Sequence, residues 1–261
     1  MDVGLATFLR GDGIRPDVLA REAEARGYES LMVTEHTHIP VSAGMVARDG
    51  GPLAEHYRRT HDPFVALAFA AAATERLIVG TSVCLVIEHD PIVLAKQITS
   101  LQTLSGGRFV FGVGAGWNKQ EMLNHGTDPT TRHGLMRERV EAMRAIWTQD
   151  EAEYHGSHVD FDPIWQWPKP LQHPLPVYIG GNGPRVEDRV LRYADGWMPN
   201  MKDLGELKER VAALRERAGS RVPVTYYGAT PETLETIADA GVERALIVLE
   251  TTAEPPIPSI T

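Results

Sequence analysis

Apolar runs short enough to be strands take turns with longer segments of helical periodicity along nearly the whole chain, and no other feature restricts its fold as much. "VGLATFL" at 3–9 is followed by "RPDVLAREAEARG" at 15–27, where Val18, Leu19, Ala23 and Ala25 fall at roughly helical spacing and Gly27 is placed to cap the carboxyl end. "SLMVTE" at 30–35 precedes "DPFVALAFAAAATE" at 62–75, whose aspartate and proline mark a helix start. "RLIVGTSV" (76–83), "PIVLAKQITSLQTLSGG" (91–107), "RFVFGVG" (108–114) and "RHGLMRERVEAMRAIWT" (132–148) continue the rhythm. Residues 149–175 break it, being rich in proline, histidine and aromatics and matching neither period, so they read as an insertion. The alternation resumes with "PVYIGG", a helix near 184–194, "DGWMPN", a helix at 203–218, "VPVTYY", a helix at 230–240 and "RALIVLE". Eight nearly continuous apolar strands with helices between them predict a parallel sheet sheathed by helices, and 261 residues suit an α/β fold of the (β/α)8 TIM-barrel type. No linker divides the chain, so one domain over 1–261 is expected. The closing "TTAEPPIPSIT" has three prolines, which predicts a shortened last helix.

Composition narrows the function classes. A formal charge of −9 argues against the broad basic face of a nucleic-acid binder. No run of about twenty apolar residues is present and the amino terminus lacks a leader pattern, so a cytoplasmic protein with no membrane contact is expected. The only cysteine, Cys84, cannot form an internal disulfide and reads as a small buried hydrophobe.

In a (β/α)8 barrel the residues just past each strand's carboxyl end share one mouth, where reactions occur. Strand two ends in "TEHTHIP", which brings Glu35, His36 and His38 there. Alternating histidines can ligate zinc, but strands five, six and eight end in "IGGNG", "WMPN" and "LET" and add no histidines, which argues against a metal. A single histidine beside a carboxylate suits proton transfer near neutrality, the role expected of His36. "GVGAGW" at 112–117 has a superficial likeness to a dinucleotide fingerprint but follows the fourth strand and has the wrong spacing. "YIGGNGPRVEDRV" runs from a strand through a glycine turn directly into a helix, an arrangement suited to a phosphate. Trp117, Trp165 and Trp167 can wall an aromatic pocket or serve as core.

"AEARGYESLMVTEH", "DPFVALAFAAAATERLIVGTSV", "HDPIVLAKQITSLQTLSGGRFVFGVGAGWNKQE", "PKPLQHPLPVYIGGNG" and "YADGWMP" stand in this order over about residues 1–250. Together they closely resemble the bacterial luciferase-like superfamily of flavin and deazaflavin enzymes, particularly its coenzyme F420-dependent oxidoreductases. The resemblance implies that Glu35 and His36 lie beside the cofactor ring, with His36 as catalytic proton donor or acceptor, although the family usually has aspartate at the position of Glu35. It further implies a bulged third strand, often with a cis non-proline peptide, at Ser82 and Val83. Gly114 and Trp117 would meet the cofactor, Gly180, Gly181, Asn182 and Gly183 its phosphate, and Asn200 the substrate. Trp117 stands where the sugar-phosphate-oxidising branch has a catalytic glutamate, which argues against that branch. The implied activity is hydride transfer between F420 and a small organic substrate, in a homodimer. An FMN-dependent monooxygenase and a non-catalytic flavin-binding protein remain as alternatives. Lys119, Arg185 and Lys202 are candidates for holding the glutamyl tail of F420.

Overall fold

A computed structural model describes residues 1–41, 51–249 and 257–258. Along the chain, β1 (Asp2–Thr7), α1 (Pro16–Ala25), β2 (Ser30–Val33), α2 (Pro63–Ala72), β3 (Ile78–Cys84), α3 (Pro91–Leu104) and β4 (Phe109–Val113) form the first half. A short α4 (Lys119–Asn124) and a long α5 (Arg132–Thr148) follow, then an antiparallel hairpin of β5 (Ala152–His155) and β6 (Asp160–Ile164). The second half runs β7 (Val177–Gly180), α6 (Val186–Tyr193), β8 (Gly196–Met198), α7 (Leu204–Ala218), β9 (Thr225–Ala229), α8 (Leu234–Asp239) and β10 (Arg244–Val248).

The eight large-sheet strands pair in parallel in the order β8–β7–β4–β3–β2–β1–β10–β9. The Trp197 amide donates to the Pro223 carbonyl (3.0 Å) and the Tyr227 amide to that of Pro199 (2.8 Å), which joins the two outer strands and closes the barrel. Aspartates start several of the surrounding helices. Asp62 accepts the Val65 amide, Asp90 the Ile92 and Val93 amides, and Asp203 those of Gly205 and Glu206, each satisfying donors a helix start leaves unpaired.

Strand side chains alternate between two cores. Ala6, Met32, Met198 and Leu246 point inward and, with partly buried Val83, Val110, Tyr178, Tyr227 and Val248, fill the barrel. Their neighbours, such as Leu5, Leu31, Val79 and Phe111, point outward against Leu19, Leu67, Ile98 and Trp147 of the helices. The interior is therefore packed, and chemistry is confined to the mouth.

The expected strands and helices are present, with two additions, the short α4 after β4 and a hairpin. The 149–175 excursion contains the β5–β6 hairpin, whose strands lack a continuous buried face, so no period-two apolar pattern marked them. The expected shortening of the last helix falls on 250–256 and 259–261, outside the described residues. Val65 and Phe69 of α2 and Val93 and Leu104 of α3 are exposed on the outer surface. Among the described residues no helix is long and apolar enough to cross a membrane.

At the end of the barrel opposite the mouth, Glu24 of α1 gathers the amides entering β3: its Oε1 accepts from Arg76 (2.6 Å), Leu77 (2.8 Å) and Glu75 (3.1 Å). Glu24→Ala should lower the unfolding free energy by about 2 kcal/mol, because several amides lose their acceptor at once. Glu24→Gln, which keeps an oxygen there, should lose clearly less; equal urea midpoints for Glu24→Ala and the parent would contradict this.

Candidate functional site

β2 ends with its last four residues buried, and the chain then carries Glu35 and His36 onto the mouth. His36 Nδ1 lies 2.7 Å from Glu121 Oε2, with both side chains almost wholly buried. The Trp117 indole donates to His36 Nε2 at 3.3 Å. Nε2 is thus the acceptor, which leaves Nδ1 to carry the proton toward Glu121. Glu121 reaches this position because Asn118 caps α4, its side chain accepting from the Gln120 and Glu121 amides. The second oxygen of Glu121 accepts from the Thr37 amide (3.2 Å). Around His36 stand Tyr57 (5.1 Å between ring centroids) and Trp117 (5.7 Å), with Phe8 and His56 packed behind Tyr57. The mouth therefore has an aromatic wall on the side of the histidine.

Glu35 faces elsewhere. Its oxygens accept from the Leu85 amide (2.6 Å) and lie against His89 Nε2 (2.8 Å), tying the end of β2 to the turn after β3. Burial opposes the charge of His89, but its hydrogen bond to Glu35 and the charges of Glu35 and Asp62 outweigh that and raise its pKa. Cys84 is buried beside them, and its Sγ lies within 4.8 Å of ligand atoms of Glu35 and His89. Burial, then Glu35, push the thiol well above its ordinary range. His38 does not join His36: its Nδ1 is 3.0 Å from Thr37 Oγ1 and its Nε2 2.9 Å from Asn124.

Across the mouth, the Ser82–Val83 peptide bond is cis. Val83 explains two glycines. A Cβ at Gly114 would stand 2.5 Å from Val83 Cγ2, and one at Gly180 would stand 2.6 Å from Val83 Cγ1. Neither position admits a side chain while Val83 holds its place between β4 and β7.

The turn after β7 is held from behind. Trp197 Nε1 donates to the Gly181 carbonyl (2.9 Å) and Arg210 to that of Asn182 (3.0 Å). In a trans peptide the following amide points the opposite way, so the Asn182 and Gly183 N–H groups are turned outward. Gly181 has φ +119°, open only to glycine at little cost. Asn182 and Asn200 exchange two hydrogen bonds, 2.6 and 3.0 Å, which commits Asn200 to bracing this turn.

Beside the turn lies a cluster of cations. Burial, then the charges of Arg189, Arg132 and Arg185, hold the His133 pKa down to about 4. Arg132 Nε, His133 Nδ1 and Tyr193 Oη are buried without a hydrogen-bond partner among the described residues. Lys119 and Lys202 are exposed, and so are Trp165 and Trp167, which leaves Trp117 as the tryptophan beside His36.

The sequence pointed to His36, Trp117, the glycine turn and Arg185 but not to Glu121, Tyr57, Glu88, Arg132 or Arg189. Asn118-Lys-Gln-Glu121 reads as an ordinary helix start, where a glutamate three residues past the cap reaches back to it. Tyr57 lies in a polar connection with no period to interpret.

The family model described as luciferase-like monooxygenase matches residues 18–247. An uncharacterized protein of Mycobacterium tuberculosis is 44% identical over 220 residues, covering 83% of this chain and 78% of that one. An F420-dependent secondary alcohol dehydrogenase, solved with an F420–acetone adduct, shares the fold with a TM-score of 0.77 at 17% identity, over 98% of this chain and 94% of that chain. Monooxygenase RslO1 from Streptomyces bottropensis shares it with a TM-score of 0.71 at 20% identity, over 92% and 75%.

Glu88, in the turn after β3, makes the mouth sensitive to pH. Burial pushes its carboxyl from 4.5 up to about 8, and the charges of Glu121 and Glu35 push the same way. Between those values the folded chain holds a proton that the unfolded chain has lost, so stability falls as pH rises through the window, by at most about 1.4 kcal/mol per pH unit from this group. Glu88→Gln mimics the neutral acid and should flatten the decline in urea stability from about pH 5 to pH 7. An unchanged slope in the variant would refute this assignment.

Proposed function

The chain belongs to the luciferase-like monooxygenase family, and from that premise we propose that it is an F420-dependent oxidoreductase moving a hydride between the deazaflavin and a small organic substrate. The observation that carries this reading is the buried His36–Glu121 pair at the barrel mouth. With Nδ1 committed to Glu121, His36 presents one basic atom, Nε2, held by a long bond from Trp117 that a substrate hydroxyl can displace. Nε2 then takes the hydroxyl proton of an alcohol or returns one to a carbonyl, and Glu121 stabilises the imidazolium and keeps the ring in place. Bound at the mouth, F420 supplies the ring carbon that accepts or donates the hydride. Tyr57 and Trp117 favour a substrate with apolar or aromatic surface and keep water from Nε2.

The residues present fit the cofactor's phosphate. The outward amides of Asn182 and Gly183 and the orphaned Arg132 Nε and His133 Nδ1 offer donors and positive charge beside the start of α6. Val83, seated against Gly114 and Gly180, provides a surface for the ring between this end and His36. The likeness in fold to the F420-dependent alcohol dehydrogenase, extending over nearly all of both chains, supports a deazaflavin. The exposed Arg185 and Lys202 supply a basic rim for an anionic tail.

Calorimetry with F420 and FMN tests the cofactor assignment: F420 should bind at least about tenfold more tightly, and the reverse order would turn the reading into an FMN-dependent monooxygenase. His133, held near 4 by burial and then by its arginine neighbours, should titrate measurably higher by NMR once a phosphate is seated among them. His36→Ala should lower turnover by about a hundredfold while changing cofactor affinity only a few fold. Turnover at the parent rate would remove His36 from the mechanism.

A further inference from the structure

We infer that Glu35, Cys84 and His89 form a binding site for a divalent ion of the zinc type, set behind the mouth where β2 and β3 end and α3 begins. The donors come from three separate stretches of chain. Glu35 follows β2, Cys84 ends β3, and His89 directly precedes Asp90, the residue that caps α3. One ligand atom from each, a carboxylate oxygen, the thiol sulfur and an imidazole nitrogen, lies within 4.8 Å of the other two. Among the described residues no other three histidine, cysteine or acidic side chains converge to this extent. His36 and His38, which alternate in the sequence, take no part, since His36 bonds Glu121 and His38 bonds Thr37 and Asn124.

The separations suit an ion. Zinc bonds to sulfur, nitrogen and oxygen place tetrahedral ligands about 3.3–3.6 Å from one another. Glu35 Oε1 and His89 Nε2 stand 2.8 Å apart across a hydrogen bond, and opening that gap by about half an ångström lets an ion take the place of the proton. The other carboxylate oxygen, Oε2, accepts the Leu85 amide at 2.6 Å. That bond orients the carboxylate and leaves Oε1 to ligate, the supporting contact that a metal-bound carboxylate needs.

Charge and burial agree with the geometry. Cys84 and Glu35 are buried, and a thiolate with a carboxylate cancels the two charges of the ion, so the loaded site is neutral as a buried site requires. Asp62 and, when ionised, Glu88 add negative charge around it, and Arg139 faces His89 with positive charge. Burial, then Glu35, hold the proton on the thiol, so only a strong Lewis acid with affinity for sulfur displaces it. Zinc and cobalt(II) meet that condition, whereas magnesium and calcium select oxygen ligands. As the sulfur–metal bond forms, the S–H proton leaves to solvent, and Nε2 of His89 likewise gives up its proton when the ring is charged; no electrons move. The His89 side chain is 16% exposed, so the ion enters and a water completes its coordination on that side. Bound there, the ion ties the ends of β2 and β3 to the start of α3 and steadies from behind the backbone that carries His36 to the mouth.

The full chain, stripped with a chelator and given one ion at a time, tests the site without any cofactor. Zinc should bind at about one equivalent with a Kd of about 1 μM or below by calorimetry, and should raise the urea midpoint. Cobalt(II) should bind in its place and show a thiolate-to-cobalt charge-transfer absorption. Cys84 is the chain's only cysteine, so that absorption reports this site alone. Cys84→Ser should abolish the absorption and weaken zinc by about tenfold or more, while His38→Ala should leave both as in the parent. Cobalt bound without the thiolate absorption, zinc bound with undiminished strength to Cys84→Ser, or neither ion bound by the parent chain would each overturn the site. The cobalt spectrum of the parent chain decides the matter even where Cys84→Ser fails to fold.

Discussion

Three glutamates buried within one end of the barrel set the terms for everything around them. Carboxylates taken from water need hydrogen bonds, a cation or a proton, and each of these solves the problem differently. Glu35 takes an amide and His89, Glu121 takes an amide and His36, and Glu88 keeps its proton. The first arrangement ties β2 to the turn after β3. The second fixes the tautomer of the histidine that faces the mouth, and the third leaves a neutral acid beside the Thr37 hydroxyl, which also meets His38 and His125.

The two sides of the mouth carry opposite character although the chain as a whole is acidic. Carboxylates crowd the side after β2 and β3, while Arg132, Arg185 and Arg189 gather around His133 beside the turn after β7. Such a separation suits a long ligand with an anionic end and a ring to be placed near a proton-handling group. Val83 joins the two sides, because its side chain occupies the space that glycine leaves at the ends of β4 and β7. The backbone there is shaped by packing between three strands, and the same packing creates the surface on which a flat ring can rest.

Much of this was legible in the residues. The alternation of apolar strands and amphipathic helices determined a (β/α)8 barrel, and with it the placement of His36, Trp117 and the glycine turn at one mouth, because strand ends in such a barrel have nowhere else to go. Periodicity is a local property, so it speaks for any segment with one buried face. It was silent on the hairpin at 152–164, which has none, and on the connection that carries Tyr57.

What only the tertiary structure decided was which charges meet. Glu121 lies 85 positions from His36, and His89 lies 54 from Glu35. No spacing along the chain encodes those distances; they follow from the closure of the barrel, which folds separate loops over one opening. Glu35, adjacent to His36 in sequence, turns to a different partner, since consecutive residues leaving a strand point to opposite sides. The sequence determined which side chains reach the mouth, and the fold chose the carboxylate that meets His36, because hydrogen-bonding partners for a buried charge are selected by distance in space.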